Sequence, residues 1–358
     1  MKKKTDLKCL VTGPVADKLK EQIDEVAILD AHDDIHPLTA EQLLDRLKEA
    51  SAVLCVLGDR LSQEVISQCP ELRVISNVAV GFDNIDIGEA TKRGIVVTNT
   101  PGVLDNATAD LAFSLLLACA RRILECDRYV REGQWTAWED CLMAGSEITG
   151  KTLGIVGMGR IGEAMARRGR GFGMKIVYTR RGDEEKDKKL KKELEVTRVS
   201  LGELLKNSDF VSLHCPLNSS TNHLISRAEL AQMKSTAFLI NTARGAIIHE
   251  AELVRALQEG RIAGAGLDVF EFEPKPSEQL LAMPNVVLTP HIASSTRQTR
   301  DAMKALAVEG LVSAMSGIPP KHFVNKEVWP RYLERMEKII LPEEDSSEAQ
   351  PQLTMPWS

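Results

Sequence analysis

The sequence predicts an α/β protein of two doubly wound domains, each a parallel sheet covered by helices. Three observations carry this expectation. Short apolar runs alternate with helix-period segments along most of the chain, as they must where each parallel strand is followed by a crossover helix. The alternation occurs twice, with a break at Pro101-Gly102 and a long apolar segment after it. At 358 residues the chain is long enough for two domains of ordinary size.

In the first domain, segments 7–11, 26–29, 52–57, 72–78 and 95–98 read as strands, and 16–23, 39–50, 62–69 and 85–93 as helices. Thr39, with Glu41 and Gln42 close behind it, supplies a helix start. Segment 105–130 is apolar on most faces and is expected to form one buried helix joining the domains. The next stretch, REGQWTAWEDCLMAGSE (131–147), holds two of the four tryptophans and little periodicity. It either packs on its own domain or reaches a partner subunit, and the second reading is preferred because aromatic loops need a surface to bury against.

The second domain places strands near Thr152, Lys175, Phe210, Phe238, Gly264 and Val286. The charge-dense run 182–194 reads as a solvated helix or loop, and 296–315 as a further helix. The chain is expected to cross between domains twice, giving 1–102 plus 293–325 as a substrate domain and 103–292 as a nucleotide-binding domain, with a ligand cleft between them. Beyond Asn325 the composition shifts: 329–341 suits a short amphipathic helix, and 342–358, rich in Glu, Ser, Pro and Gln, reads as disordered.

The stretch KTLGIVGMGRIGEAMARRGRGFGMKIVYTRR (151–181) is the most informative in the chain. A short apolar strand runs into Gly157, Gly159 and Gly162 in G-x-G-x-x-G spacing, and a helix and a second strand follow. The first glycine permits a tight turn, the second lets the backbone approach a pyrophosphate, and the third lets the helix lie close to the strand. The helix N-terminus then offers unpaired N–H groups to the anion. This is a Rossmann dinucleotide fingerprint. At the end of the second strand, where an NAD site usually has an acidic residue for the ribose 2′-OH, stand Thr179, Arg180 and Arg181. Guanidinium forks suit a 2′-phosphate, so a preference for NADPH is expected, with NADH also accepted.

Charged residues make up 27% and apolar residues 43% of the chain, with a net charge of −6 spread through it. Neither a basic tract nor aromatic-basic interleaving points to nucleic acid. The opening MKKKTDLKCLVTGPVAD lacks the apolar segment of a secretory signal, and the apolar run 111–120 is too short for a bilayer. Seven cysteines without a C-x-x-C pair suit free thiols in a reducing cytoplasm. The seven histidines are scattered, so no metal site is expected.

Three ionisable residues follow strands of the second domain: Arg244 after FLIN, Glu273 after GLDVF, and His291 after VVL. Ligands of open α/β sheets bind at the carboxyl ends of the strands, so all three are aimed at one site beside the nicotinamide.

With these residues in place, the sequence resembles the D-isomer-specific 2-hydroxyacid dehydrogenases over about 5–325. The matching motifs, in order, are NVAVGFDNID (77–86), GMGRIG (157–162), NTARG (241–245), GAGLDVFEFEP (264–274) and TPHIASS (289–295). The glyoxylate/hydroxypyruvate reductase branch is the most similar. The resemblance implies a flavodoxin-like substrate domain, a Rossmann cofactor domain, and a homodimer that reduces small 2-oxo acids. His291 is then the general acid, because imidazole titrates near operating pH. Glu273 is implied to hold the other ring nitrogen, and Arg244 to bind the substrate and stabilise charge on its oxygen. The N–H groups of Val80 and Gly81 are implied to hold the substrate carboxylate, with Ser294 beside them. Asp268 is implied to lie near the nicotinamide, and Thr108, Arg160, Ile161, Cys215, Pro216 and Thr242 to contact the cofactor. Ala293 stands where the family often has glycine. His32, His36, His214, His223, His249 and His322 lack motif support and read as structural. Alternatives are a dehydrogenase for a bulkier 2-oxo acid, of 2-ketogluconate type, or for 3-phosphoglycerate, and a nucleotide-sensing binding protein of the same fold, like the C-terminal-binding corepressors.

Overall fold

In the computed structural model, which describes residues 7–182 and 184–340, the chain divides into two units. One comprises the chain up to Pro101 and from Ala302 onward; the other runs from Gly102 to Asp301.

The first unit begins β1 (Lys8–Val11), α1 (Asp17–Asp24), β2 (Ile28–Ala31), α2 (Ala40–Leu47), β3 (Ala52–Cys55), α3 (Gln63–Ser67), β4 (Val74–Asn77), α4 (Ile87–Lys92) and β5 (Val96–Thr98). All five strands are parallel, in the order β2-β1-β3-β4-β5, which is the flavodoxin-like order. β3, β4 and β5 are buried along their whole length, as strands covered on both faces must be. The helix starts are set by local chemistry. Thr39 and Gln42 form a reciprocal capping box, and Ser62 and Asp86 each cap the helix that follows.

The second unit holds α5 (Asp105–Ala120), α6 (Ile123–Arg131), β6 (Thr152–Val156), α7 (Arg160–Gly171), β7 (Lys175–Thr179), α8 (Glu184–Leu194), β8 (Thr197–Arg198), α9 (Leu201–Asn207), β9 (Phe210–Leu213), α10 (Arg227–Leu230), β10 (Phe238–Asn241), α11 (Glu250–Gln258), β11 (Gly264–Leu267), α12 (Glu278–Leu281) and β12 (Val286–Leu288). Its seven parallel strands run β12-β11-β10-β9-β6-β7-β8. The chain winds outward from β6 to β8, then returns to β9 on the other side of β6. That reversal is the topological switch point of a Rossmann sheet, where the carboxyl ends of β6 and β9 open a crevice.

The single buried helix expected over 105–130 is two helices. The chain breaks at Arg122, whose φ of 53° is left-handed. α5 is buried through Ala109, Ala112, Leu116 and Cys119, whereas α6 buries no residue. The cause is tertiary: the Ser146 N–H donates to the Ala120 carbonyl at 2.7 Å, and Gly145 lies so near that a Cβ there would be 2.3 Å from the same oxygen. Within the run expected to be a solvated helix or loop at 182–194, Glu184–Leu194 is the helix α8, with Leu190 and Leu194 turned into the core.

α13 (Arg297–Met315) spans the division between the units. The first domain was expected to resume at residue 293. Instead, the residues up to Asp301 group with the second unit, in keeping with the hold of Asp268 on the Ile292 and Ala293 N–H groups. From Ala302 the helix completes the first unit: the Ala307 carbonyl accepts from Ser76, and Gly310 lies against Thr98. Asn325 then ties off the sheet edge through the Val97 N–H and the Ile95 carbonyl. α14 (Trp329–Ile340) docks on the same unit. Tyr332 is fully buried with its hydroxyl on the Ala314 carbonyl, and Arg335 donates to the carbonyls of Pro70, Leu72 and Arg93. The expected disorder over 342–358 and the opening residues 1–6 lie outside the described residues. Among the described residues no helix is long and apolar enough to cross a membrane.

Candidate active site

The glycine turn lies at the switch point of the second sheet. Gly157 follows β6 with φ 98°, and a Cβ there would come 2.5 Å from the Cys215 nitrogen at the end of β9. Gly162, buried in α7, lies against the Gly157 carbonyl. Gly159, the residue before α7, has no atom within 4 Å of a built Cβ, so this side of the turn is open above the helix N-terminus. Arg160 is exposed and Ile161 half-buried in the first helical turn. Thr242, after β10, is buried with its hydroxyl unpartnered among the described residues. An open glycine cradle at a helix start after β6 and an orphaned hydroxyl after β10, two strands away in the same sheet, fit a dinucleotide. Thr108 is buried in α5; Cys215 is half-buried and Pro216 exposed after β9. Burial pushes the Cys215 thiol up to about 11, so it is a neutral wall residue.

Thr179 ends β7, with Arg180 half-buried and Arg181 exposed. Arg180 is not simply an open fork. Its Nε donates to Asp187 Oδ1 at 2.7 Å, while Arg198 donates to Asp187 Oδ2 at 2.6 Å and to the Arg180 carbonyl at 2.9 Å. The Tyr178 hydroxyl donates to Asp187 Oδ1 at 2.8 Å. Asp187 and Arg198 were missed in the sequence. Seven and eighteen residues from Arg180, they lie in α8 and in a two-residue strand with no legible period.

The three ionisable residues follow β10, β11 and β12. His291 Nδ1 donates to Glu273 Oε2 at 2.8 Å, and Glu273 Oε1 accepts the Phe270 N–H at 3.1 Å. Burial alone would raise the Glu273 carboxyl, but its bond to His291, the histidine charge, the Phe270 N–H and the Arg244 guanidinium outweigh it and hold it below its ordinary value. Arg244 is half-buried and donates to the Ala243 carbonyl at 2.8 Å. Its turn is closed by Gly245, where a Cβ would fall 1.8 Å from the Phe270 carbonyl carbon, so only glycine brings the Arg244 and Glu273 turns together. His291 has a left-handed backbone, φ 53°, a conformation costing a non-glycine residue about 1–3 kcal/mol. Its N–H donates to the Asp268 carbonyl at 2.8 Å and to the Thr289 carbonyl at 3.1 Å.

Asp268 explains how that backbone is held. Fully buried, it accepts from Thr289 Oγ1 at 2.6 Å and from the Ile292 and Ala293 N–H groups at 2.8 Å each. The carboxylate implied to face the nicotinamide thus organises the histidine turn. Ser294 follows that turn, half-buried. In the first unit, Val80 and Gly81 are half-buried beyond β4; their carbonyls accept from Asn99 and Asn77, and among the described residues neither N–H has an acceptor.

Sheet order, glycine cradle and His–Glu pair define a nicotinamide-dependent oxidoreductase of Rossmann type. Residues 113–293 match the family model described as D-isomer specific 2-hydroxyacid dehydrogenase, NAD binding domain. A glyoxylate reductase of Korarchaeum cryptofilum is 49% identical over 320 residues, 89% of this chain and 96% of that protein. A glyoxylate reductase of Pyrococcus furiosus is 45% identical over 328 residues, 90% and 96% of the two chains. Among solved structures, the NADPH-dependent glyoxylate/hydroxypyruvate reductase of Sinorhizobium meliloti, in complex with NADP and malonate, superposes with a TM-score of 0.79 at 34% identity, covering 90% of this chain and 98% of that one. The chain belongs to the D-isomer-specific 2-hydroxyacid dehydrogenases.

Proposed function

We propose that this protein reduces glyoxylate and hydroxypyruvate to the corresponding D-2-hydroxy acids, with NADPH preferred over NADH. The observation that carries the reading is the His291–Glu273 pair at 2.8 Å beside the Arg244 turn, at the ends of three neighbouring strands. A reduced nicotinamide held by the Gly157–Gly162 turn and Thr242 would supply a hydride for C2 of the acid. Arg244 binds the acid and offers fixed donors to the C2 oxygen as it becomes negative. Glu273 holds Nδ1–H of His291, which fixes the orientation of the ring and leaves Nε2 to deliver a proton to the C2 oxygen. The acceptor-less N–H groups of Val80 and Gly81 are assigned to the acid's carboxylate, with Ser294 as a further polar contact. The unit up to Pro101 and from Ala302 onward is assigned the substrate role, and the unit from Gly102 to Asp301 the cofactor role.

Support for NADPH comes from Arg180, Arg181 and Arg198 clustering at the end of β7, and from the NADPH-dependent relative. A homodimer is supported by the exposed Ile123, Leu124, Val130, Trp135 and Trp138, an apolar set that a second copy of the chain would cover. A cytoplasmic setting suits the free cysteines.

The test is the loss of reduced-nicotinamide absorbance with glyoxylate, hydroxypyruvate and a bulkier sugar-derived 2-oxo acid, each with NADPH and NADH. The two small acids with NADPH should turn over fastest. In an Arg180→Ala/Arg181→Ala variant, kcat/KM for NADPH should fall about tenfold to a hundredfold and that for NADH by less than about threefold. Equal losses would remove the 2′-phosphate role. Tight cofactor binding without turnover of any acid would favour a nucleotide sensor.

A further inference from the structure

Glu273 is only as well placed as the turn that carries it, residues 271–274, and that turn is strapped down by groups outside the reacting set. The Glu250 carboxylate, 6% exposed, accepts the Glu271 N–H on Oε2 at 3.0 Å and the Ser277 N–H on Oε1 at 2.9 Å, pinning the start of the turn and the chain three residues beyond its end. Glu271 returns the bond, its Oε2 accepting the Glu250 N–H at 2.9 Å, while its Oε1 accepts from His223 Nε2 at 2.6 Å. His223 reaches this position from a left-handed backbone, φ 52°, with its N–H on the Ala246 carbonyl at 2.7 Å, two residues beyond Arg244. Its ring packs on His249, centroids 4.6 Å apart. The bonds therefore join the segments that carry Arg244 and Glu273.

We propose that His223, Glu250 and Glu271 are positioning residues for the reaction. They hold Glu273 on His291 Nδ1 and keep it in register with Arg244, without touching substrate. The inference rests on the roles given above to His291 and Glu273. A buried and a half-buried carboxylate that exchange bonds with each other's main chain fix a turn more firmly than packing alone, since moving it would leave several charge-assisted bonds unmade.

A double-mutant cycle on the full-length chain tests this, with glyoxylate and NADPH, through wild type, Glu271→Gln, Glu273→Gln and the double variant. Glu271→Gln should lower kcat about tenfold with the NADPH dissociation constant within about twofold, and the double variant should be no slower than Glu273→Gln alone. The pH midpoint of kcat in Glu271→Gln should move toward that of Glu273→Gln. Losses that multiply in the double variant, or a Glu271→Gln variant as fast as wild type, would overturn the proposal while leaving the functional reading intact. If Glu271→Gln does not fold, His223→Gln, at the more exposed end of the same bonds, takes its place in the cycle with the same criteria. A wild type that binds NADPH yet reduces no 2-oxo acid overturns the functional reading, and this proposal with it.

Discussion

Two aspartates of the second unit, Asp268 and Asp187, each hold a functional segment, and they do so by opposite electrostatics. Asp268 is fully buried and its partners are neutral: one hydroxyl and two main-chain N–H groups of the His291 turn. Burial raises its carboxyl, with these bonds and the His291 charge pulling the other way without prevailing. Asp187 has a side chain 15% exposed and is shared by the guanidinium groups of Arg180 and Arg198 and the Tyr178 hydroxyl. Burial pushes this carboxyl up as well, but its three partners win and hold it below its ordinary value. Neutral dipoles in a dry site fix a position, because they cannot be satisfied elsewhere. Full charges near water set a balance that an arriving anion can change. The His291 end of the unit is therefore built for geometry, and the Arg180 end for adjustable charge.

The largest effect belongs to the fixed end. His291→Ala should lower kcat for glyoxylate by about 10²- to 10⁴-fold, the usual worth of a general acid, with the NADPH dissociation constant within about twofold. A loss below tenfold would move proton donation to another group. Asp268→Asn should act through the same residue more mildly. The amide oxygen can still serve Thr289 and Ile292, but its NH₂ then meets the Ala293 N–H, a donor–donor contact costing about 1–3 kcal/mol. Expected are a lower Tm and a kcat reduced about tenfold, with NADPH affinity retained. Unchanged Tm and kcat would show that the histidine turn does not depend on this carboxylate.

Much of this was legible in the sequence, and what was missed has a common cause. Strand ends, glycine spacing and the Arg244, Glu273 and His291 series are local patterns of residue type against period, which a single sequence displays. The Thr39 capping box was visible for the same reason. The break at Arg122 was not, because no glycine or proline marks it; a loop over twenty residues further on supplies the bonds that end α5. The bonds by which Asp268 holds 289–293 were not legible either, because their donors lie more than twenty residues ahead. The charge-dense run read as solvent-facing hid Asp187, since only the folded register of α8 shows which of its acidic groups turns inward. His223 reads as structural, and its partner Glu271 lies forty-eight residues away, beyond the reach of any local pattern.

The smallest effect belongs to the adjustable end and has a definite sign. Asp187→Asn removes one negative charge beside two arginines while keeping an acceptor for one guanidinium and the tyrosine hydroxyl. A cofactor 2′-phosphate then meets less repulsion, so KM for NADPH should fall about two- to fivefold with KM for NADH unchanged, and the gain should shrink as salt is raised toward ~1 M. The stability consequence follows from the depressed carboxyl. A group that titrates lower in the folded than in the unfolded chain contributes fully above the unfolded value of about 4, and that contribution is lost as pH falls through the lower folded value. Asp268, with its raised carboxyl, works the other way: its ionisation costs the fold stability as pH rises through the carboxylate range. Replacing Asp187 by Asn should therefore flatten part of the acid limb of Tm against pH, and replacing Asp268 by Asn should leave that limb at least as steep. A weaker NADPH affinity in Asp187→Asn would mean that the carboxylate serves to aim Arg180 and not to restrain it, and the contrast between the two aspartates would then be one of exposure alone.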